Sequence, residues 1–213
     1  MLAARLLPFP VQTAEMDPRI AREDHLLPGE ERAIARAVAS RRREFSAGRA
    51  CARTAMAALG AGALPILQGA DRAPVWPDGL VGSITHTDTW CAAAVARTGD
   101  GIQAIGLDVE PAEPIDPALL RIICLAEERK LAGERSLYGR LIFSAKESAY
   151  KAQYQLTRTL LGFHAMRIAL DEQAQRFVAV FQKDVAPFSR GDRLEGRFLL
   201  QDGFMMTAVT IAR

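Results

Sequence analysis

Asp108 and Glu110, two residues apart, and Glu147 and Lys151, four apart, are side chains whose types and spacing suit joint chemistry. From Ala104 to Glu110 the large apolar residues Ile105, Leu107 and Val109 alternate with Ala104, Gly106, Asp108 and Glu110, as on a strand with one buried face. Both acids then leave the same face at the strand's end, about 6.5 to 7 Å apart, close enough to converge on one hard cation. Without a cation they repel each other. Taken alone, the pair also reads as two acids on a solvated strand end.

The segment from Phe143 to Ala152 adds a second arm. Ser144 suits a helix N-cap, and Phe143, Glu147, Tyr150, Lys151 and Tyr154 then share one side of the helix that follows. On a solvated face a Glu–Lys pair at this spacing contributes only about 0.3 to 0.5 kcal/mol. The aromatic neighbours argue against a solvated face. Together the segments offer three carboxylates and one ammonium, which suits a divalent metal with a lysine for a phosphate oxygen.

Positioning these groups requires a folded scaffold, and the composition permits one. With 213 residues, 49% of them apolar, the chain can bury a sizeable core as one large domain or two halves. A net charge of +2 demands neither nucleic acid nor membrane as partner. Cys51, Cys91 and Cys124 are odd in number and form no CxxC pair, so neither a disulfide framework nor a zinc site is indicated, and a reducing cytoplasm fits. No run approaches a membrane span, and Met1 to Pro10 is too short and proline-broken for a secretory signal. No internal repeat is apparent.

The first thirty residues, broken by Pro8, Pro10, Pro18 and Pro28, read as loop with one short strand. Helical signal begins at Pro28-Gly29-Glu30-Glu31, with acids in the first turn and Ile34 and Val38 on an apolar face. A second helix is predicted from about Arg41 to Leu59, capped by Gly60. It carries Arg41, Arg42, Arg43, Arg49 and Arg53, with Arg41, Phe45 and Arg49 stacked at four-residue steps. That surface is either a solvated face or a phosphate-recognition surface.

Ile66-Leu67 suits a short strand, and Ala73 to Pro77 an extended segment. Val81 to His86 and Cys91 to Arg97 read as two strands joined by Thr87-Asp88-Thr89, placing His86 beside Ser83 and Thr85 at a strand end. A helix with Leu119, Leu120, Ile122 and Ile123 follows Pro117, continued or restarted from Ala126 to Leu131, and Leu137 to Phe143 leads into the Glu147 helix. Beyond Gly162 alternation returns at 166–170, 176–181, 196–200 and 205–211, which predicts an antiparallel sheet.

The stretches VGSITHTDTW, IGLDVEP and FSAKESAYKA, in that order and preceded by RRREFSAGRACAR, resemble the Sfp-type 4'-phosphopantetheinyl transferases, nearer the enterobactin-synthetase branch. The resemblance runs from about Leu26 to Phe163. It implies an α/β (α+β) monomer of two similar, pseudo-twofold halves, here residues 1–104 and 105–213. It implies transfer of the phosphopantetheine arm of coenzyme A to a serine of an apo carrier protein, releasing adenosine 3',5'-bisphosphate with Mg2+, or Mn2+, as cofactor.

By the same resemblance Asp108, Glu110 and Glu147 match metal positions, with the Val109 carbonyl as an accessory contact. Lys151 matches a phosphate-binding lysine, and Glu147 a general-base position, the choice of base being open. Arg41 and Arg49 match positions that grip coenzyme A phosphates. Thr85 and His86 match positions near its 3'-phosphate and diphosphate, His86 counted with the catalytic groups. In Leu67-Gln68-Gly69-Ala70-Asp71-Arg72, Gln68 and Asp71 stand where relatives commonly carry lysines, and Arg72 is a compensating cation. Tyr150 to Phe163, with Arg158, is the expected docking surface for carrier proteins of peptide synthetases, polyketide synthases or fatty-acid synthases.

Two rivals use parts of this set. A magnesium-dependent phosphohydrolase would employ the same acids and lysine with water as nucleophile. A nucleic-acid-binding module would use the arginine helix and leave the acids idle. Neither explains the histidine strand, the two-acid strand and the glutamate–lysine helix together.

Overall fold

Two helices of 20 residues each carry the packing, and each lies against its own antiparallel sheet. The computed structural model describes residues 1–22 and 26–213. The first half holds β1 (Gln12–Met16), α1 (Ala39–Ala58), β2 (Leu67–Gln68), β3 (Pro74–Val75), β4 (Leu80–His86) and β5 (Cys91–Arg97). The second holds β6 (Ile102–Pro111), α2 (Pro117–Ile123), α3 (Ala126–Glu134), α4 (Tyr138–Thr157), β7 (Met166–Asp171), β8 (Arg176–Phe181), β9 (Arg193–Gln201) and β10 (Phe204–Ala212).

The sheet orders are β1-β5-β4 and β6-β10-β9-β8-β7, with β2 and β3 paired separately. In both large sheets the strand before the long helix pairs with the last strand of its half, so strand, helix and closing hairpin recur in the same arrangement. The mixed α/β architecture of two similar halves expected from the resemblance is therefore present. Among the described residues no helix is long and apolar enough to cross a membrane.

The repeat that the sequence hides shows itself in two buried carboxylates. Glu30 accepts from the N–H of Leu27 at 2.8 Å and of Ile66 at 2.8 Å, and binds Arg53 of α1 at 2.8 Å. Glu128 accepts from the N–H of Leu125 at 2.7 Å and of Ile168 at 2.6 Å, and binds Lys146 of α4 at 2.7 Å. Both stand in a Leu-x-x-Glu context, and both tie the lead-in to the long helix, a strand region and the helix itself. Each buried charge thus has a cation and two amides, as burial requires.

Several local expectations change. The segment after Pro28 is a short 3-10 helix, Glu31–Ile34, and Glu30 turns inward instead of facing the helix dipole. Val38 precedes α1 in extended backbone and is exposed, outside the apolar face expected of it. Helix α4 starts at Tyr138, so Ser144 is no cap: its hydroxyl lies buried against Thr207 at 2.9 Å. Gly60, at φ 69°, does close α1 as predicted. The helix after Pro117 restarts, since Cys124 is extended between α2 and α3.

Strand β6 is buried on both faces. One face, with Ile105, Leu107 and Val109, joins the core of Leu2, Leu6 and Ala94. The other receives α4: a Cβ on Gly106 would lie 1.7 Å from the Ser148 carbonyl oxygen, so the helix backbone rests directly on the strand. The two sheets do not pair through their backbones at this seam. Instead, the hydroxyls of Ser83 and Thr85 on β4 accept from the N–H groups of Leu107 and Val109, at 3.0 and 3.1 Å.

Candidate active site

The seam between β4 and β6 gathers most of the groups expected to act. Lys151, one face of α4 above it, donates to Asp108 Oδ1 at 2.8 Å and to the Leu107 carbonyl at 3.0 Å. Thr85, while accepting from Val109, donates to the same Asp108 oxygen at 3.4 Å. The other oxygen, Asp108 Oδ2, is buried and has no hydrogen-bond partner among the described residues. An orphaned buried carboxylate oxygen is costly unless something binds it.

Glu110 and Glu147 flank this point. Arg140, near the start of α4, donates to Glu110 at 2.8 Å. Burial raises the Glu110 pKa, the Asp108 charge raises it further, and Arg140 opposes both. Burial likewise raises that of Glu147, with Lys151 opposing and Asp108 reinforcing. Glu147 makes no hydrogen bond among the described residues and borders a recess of about 100 Å³ with Tyr150, Leu161 and Phe163.

Among the described residues no three His, Cys, Asp or Glu side chains form a ready-made metal cage. Two of the expected ligands are engaged by cations, Asp108 by Lys151 and Glu110 by Arg140. The donor set nevertheless fits a hard divalent ion, through the orphaned Asp108 oxygen and two carboxylates that burial disfavours as free anions. The Val109 N–H points to Thr85 and not into the β10 ladder, so the Val109 carbonyl leaves on that same edge.

On the first half, Arg41 Nη1 lies 2.8 Å from His86 Nε2, and Glu44 lies 3.6 Å from Nδ1. Burial lowers the His86 pKa, with Glu44 opposing and Arg41 and Lys151 adding to it, which matches a neutral imidazole accepting from Arg41. Arg49 is not on a basic surface. It is 6% exposed, lies over the Phe45 ring at 4.0 Å and donates to the Ile66 carbonyl at 2.8 Å. Burial lowers its pKa to about 10. The arginine stack is thus divided, Arg41 facing the seam and Arg49 supporting the helix from within.

Gln68 donates to the Arg72 carbonyl at 3.1 Å, Gly69 turns the loop through its N–H to Ala73, and Asp71 accepts from Tyr154 at 2.8 Å. Two clefts meet here. One, of about 460 Å³, runs between the halves past Arg72, Trp76, Ser83, Tyr150 and Lys151. The other, of about 440 Å³, is lined by Arg32, Arg36, Arg41, Arg72, Phe45 and Gln68. Arg32, Arg36 and Arg72 have no ion-pair partner among the described residues, which leaves the second groove with a surplus of positive charge.

Sequence reasoning missed Arg140, Glu44, Arg32 and Arg36 as parts of this region. Arg140 meets Glu110 across 30 positions, for which no local signal exists. Glu44 lay in plain view within Arg41-Arg42-Arg43-Glu44-Phe45, three residues from the arginine it accompanies.

Comparison with known proteins assigns the chain. Residues 29–96 match the 4'-phosphopantetheinyl transferase N-terminal domain, and residues 104–199 match the 4'-phosphopantetheinyl transferase superfamily. The chain belongs to the 4'-phosphopantetheinyl transferase superfamily. It is 40% identical to 4'-phosphopantetheinyl transferase Svp of Streptomyces mobaraensis over 195 residues, 88% of this chain and 79% of that protein. It is 38% identical to 4'-phosphopantetheinyl transferase Npt of Nocardia iowensis, over 87% of this chain and 89% of that protein. Enterobactin synthase component D of Salmonella typhi is 37% identical over 60% of this chain and 54% of its own length. The two matched segments meet at the seam, Thr85 and His86 lying in the first and Asp108, Glu110, Glu147 and Lys151 in the second.

Proposed function

We propose that this transferase moves the 4'-phosphopantetheine arm of coenzyme A to a serine of an apo carrier protein and releases adenosine 3',5'-bisphosphate. The observation that carries the reading is the seam itself: Thr85 from one matched segment bonds Asp108 from the other, beside a buried oxygen without a partner. In this reading residues 1–104 hold the phosphates, through Arg41, Thr85, His86 and Arg72, and residues 105–213 hold the metal site and dock the carrier.

Mg2+, with Mn2+ as an alternative, would be held by Asp108, Glu110 and Glu147, with the Val109 carbonyl nearby. The ion would supply positive charge against the oxygens of the pyrophosphate. Lys151, 27% exposed, is free to turn from Asp108 toward a phosphate oxygen. The serine oxygen forms the new bond to the β-phosphorus while the bond to the adenosine bisphosphate oxygen breaks. Glu147 takes the serine proton, directly or through a water. His86, neutral and accepting from Arg41 through Nε2, would orient that guanidinium toward the phosphates.

Leu160 and Arg158, both exposed beyond the end of α4, offer apolar and cationic contacts for an acidic carrier surface. All proposed groups lie in one chain, which suits a monomer, and the buried free thiols of Cys51, Cys91 and Cys124 suit a reducing cytoplasm.

Intact mass of apo carrier proteins from peptide synthetases, polyketide synthases and fatty-acid synthesis, after incubation with the protein, coenzyme A and magnesium, tests this. Gain of one phosphopantetheine, lost with chelator, is expected. Coenzyme A cleavage without any acceptor would support the phosphohydrolase instead.

A further inference from the structure

The loop between β2 and β3 belongs to the first half, yet its side-chain anchor lies in the second. Asp71 Oδ2 accepts from the Tyr154 hydroxyl of α4 at 2.8 Å, with Arg158 at 3.9 Å. Its other oxygen accepts from the Ala73 N–H at 3.0 Å and closes the turn. Between them Arg72 sits at φ 68°, a left-handed conformation that a non-glycine residue keeps only with local support. That support comes from the Gly69 carbonyl, 2.9 Å from the Arg72 N–H, and from Gln68.

The Asp71–Tyr154 bond crosses the cleft between the halves, and Arg72 lines both that cleft and the arginine groove. We propose that Asp71 and Tyr154 form a clasp between the halves whose role is to position Arg72 over the groove for a phosphate-bearing ligand. On the reading above, that ligand is coenzyme A.

The chemistry of the pair favours a clasp over a direct contact. A carboxylate repels phosphate, so an acid in a phosphate-binding loop needs another target. Here its oxygens face Tyr154 and Ala73. The hydroxyl-to-carboxylate bond is charge-assisted, and it holds the Asp71 carboxyl below its ordinary range. Tyr154 delivers its hydroxyl from a ring that is 9% exposed and 5.6 Å from that of Tyr150, a stiff mount. The Arg158 contact joins exposed side chains at a long distance and contributes little.

Calorimetry and steady-state kinetics on Tyr154→Phe, Arg72→Ala and the double variant test the clasp. Tyr154→Phe removes only the hydroxyl and leaves the loop's own bonds intact. Each single variant should raise the Kd and KM for coenzyme A roughly three- to tenfold. In both single variants the loss should fall on coenzyme A binding, with the Kd and the coenzyme A KM rising in parallel and by more than kcat falls. The double variant should be no weaker than Arg72→Ala alone, because nothing remains for the clasp to position. Unchanged affinity in Tyr154→Phe, or effects that multiply in the double variant, would overturn the clasp. Binding needs no carrier, so the expected Kd pattern without transfer would overturn the proposed reaction and leave the clasp standing. An unmodified protein that binds no coenzyme A would overturn both.

Discussion

Lys146 and Lys151 stand five residues apart on α4, and each binds one carboxylate, at 2.7 and 2.8 Å. Their surroundings differ. Lys146 and Glu128 are 2% and 1% exposed, and every oxygen of Glu128 is engaged, by Lys146 and the amides of Leu125 and Ile168. Lys151 and Asp108 are 27% and 7% exposed, and one buried oxygen of Asp108 has no hydrogen-bond partner among the described residues. The first pair is closed and holds α3, α4 and β7 together. The second is open, with a lysine that can turn to solvent and an acid with one oxygen unbonded among the described residues.

If that contrast is right, the closed pair should fail as architecture and the open pair as chemistry. Glu128→Gln leaves a buried, uncompensated lysine, so urea denaturation should show a loss of about 3 to 5 kcal/mol, while the folded fraction retains its kcat. Lys151→Ala should reverse the pattern, lowering kcat by on the order of 10²-fold with a stability loss clearly smaller than that of Glu128→Gln. Equal stability losses would erase the distinction.

The hydroxyl seam lies between these extremes. Thr85→Val leaves the buried Val109 N–H without an acceptor and should cost about 1 to 3 kcal/mol, read from the same urea curves. A smaller and sharper test is pH. Burial raises the Glu147 pKa in the metal-free protein. Magnesium affinity should therefore weaken as pH falls toward the upper end of the carboxylate range, and Glu147→Gln should lessen that dependence.

The contrast also explains what could be read from the residues alone. β6, β8 and β10 and the helices α1 and α4 announce themselves through alternation and helical spacing, so the antiparallel sheet and both long helices were legible. Asp108, Glu110, Glu147 and Lys151 were legible because their spacings are short and their types unusual together. Glu30 and Glu128 were not, since an acid near a helix start looks the same whether it faces solvent or the interior. Ser144 misled for a similar reason: a serine that would cap a helix also suits a tight buried contact, and Thr207, 63 positions away, decides which. Arg49 was assigned to a surface because its two four-residue steps from Arg41, by way of Phe45, carry no information on depth.

The most direct test of the open site is urea denaturation of the unmodified protein and of Asp108→Asn, each with and without magnesium. The unmodified protein should gain about 2.7 kcal/mol at a magnesium concentration a hundredfold above its Kd. Asp108→Asn should gain nothing, while its metal-free stability stays within about 1 kcal/mol of the original. A variant that loses several kcal/mol without metal yet keeps the full magnesium gain would contradict the account, because Asp108 would then be a closed structural acid like Glu128.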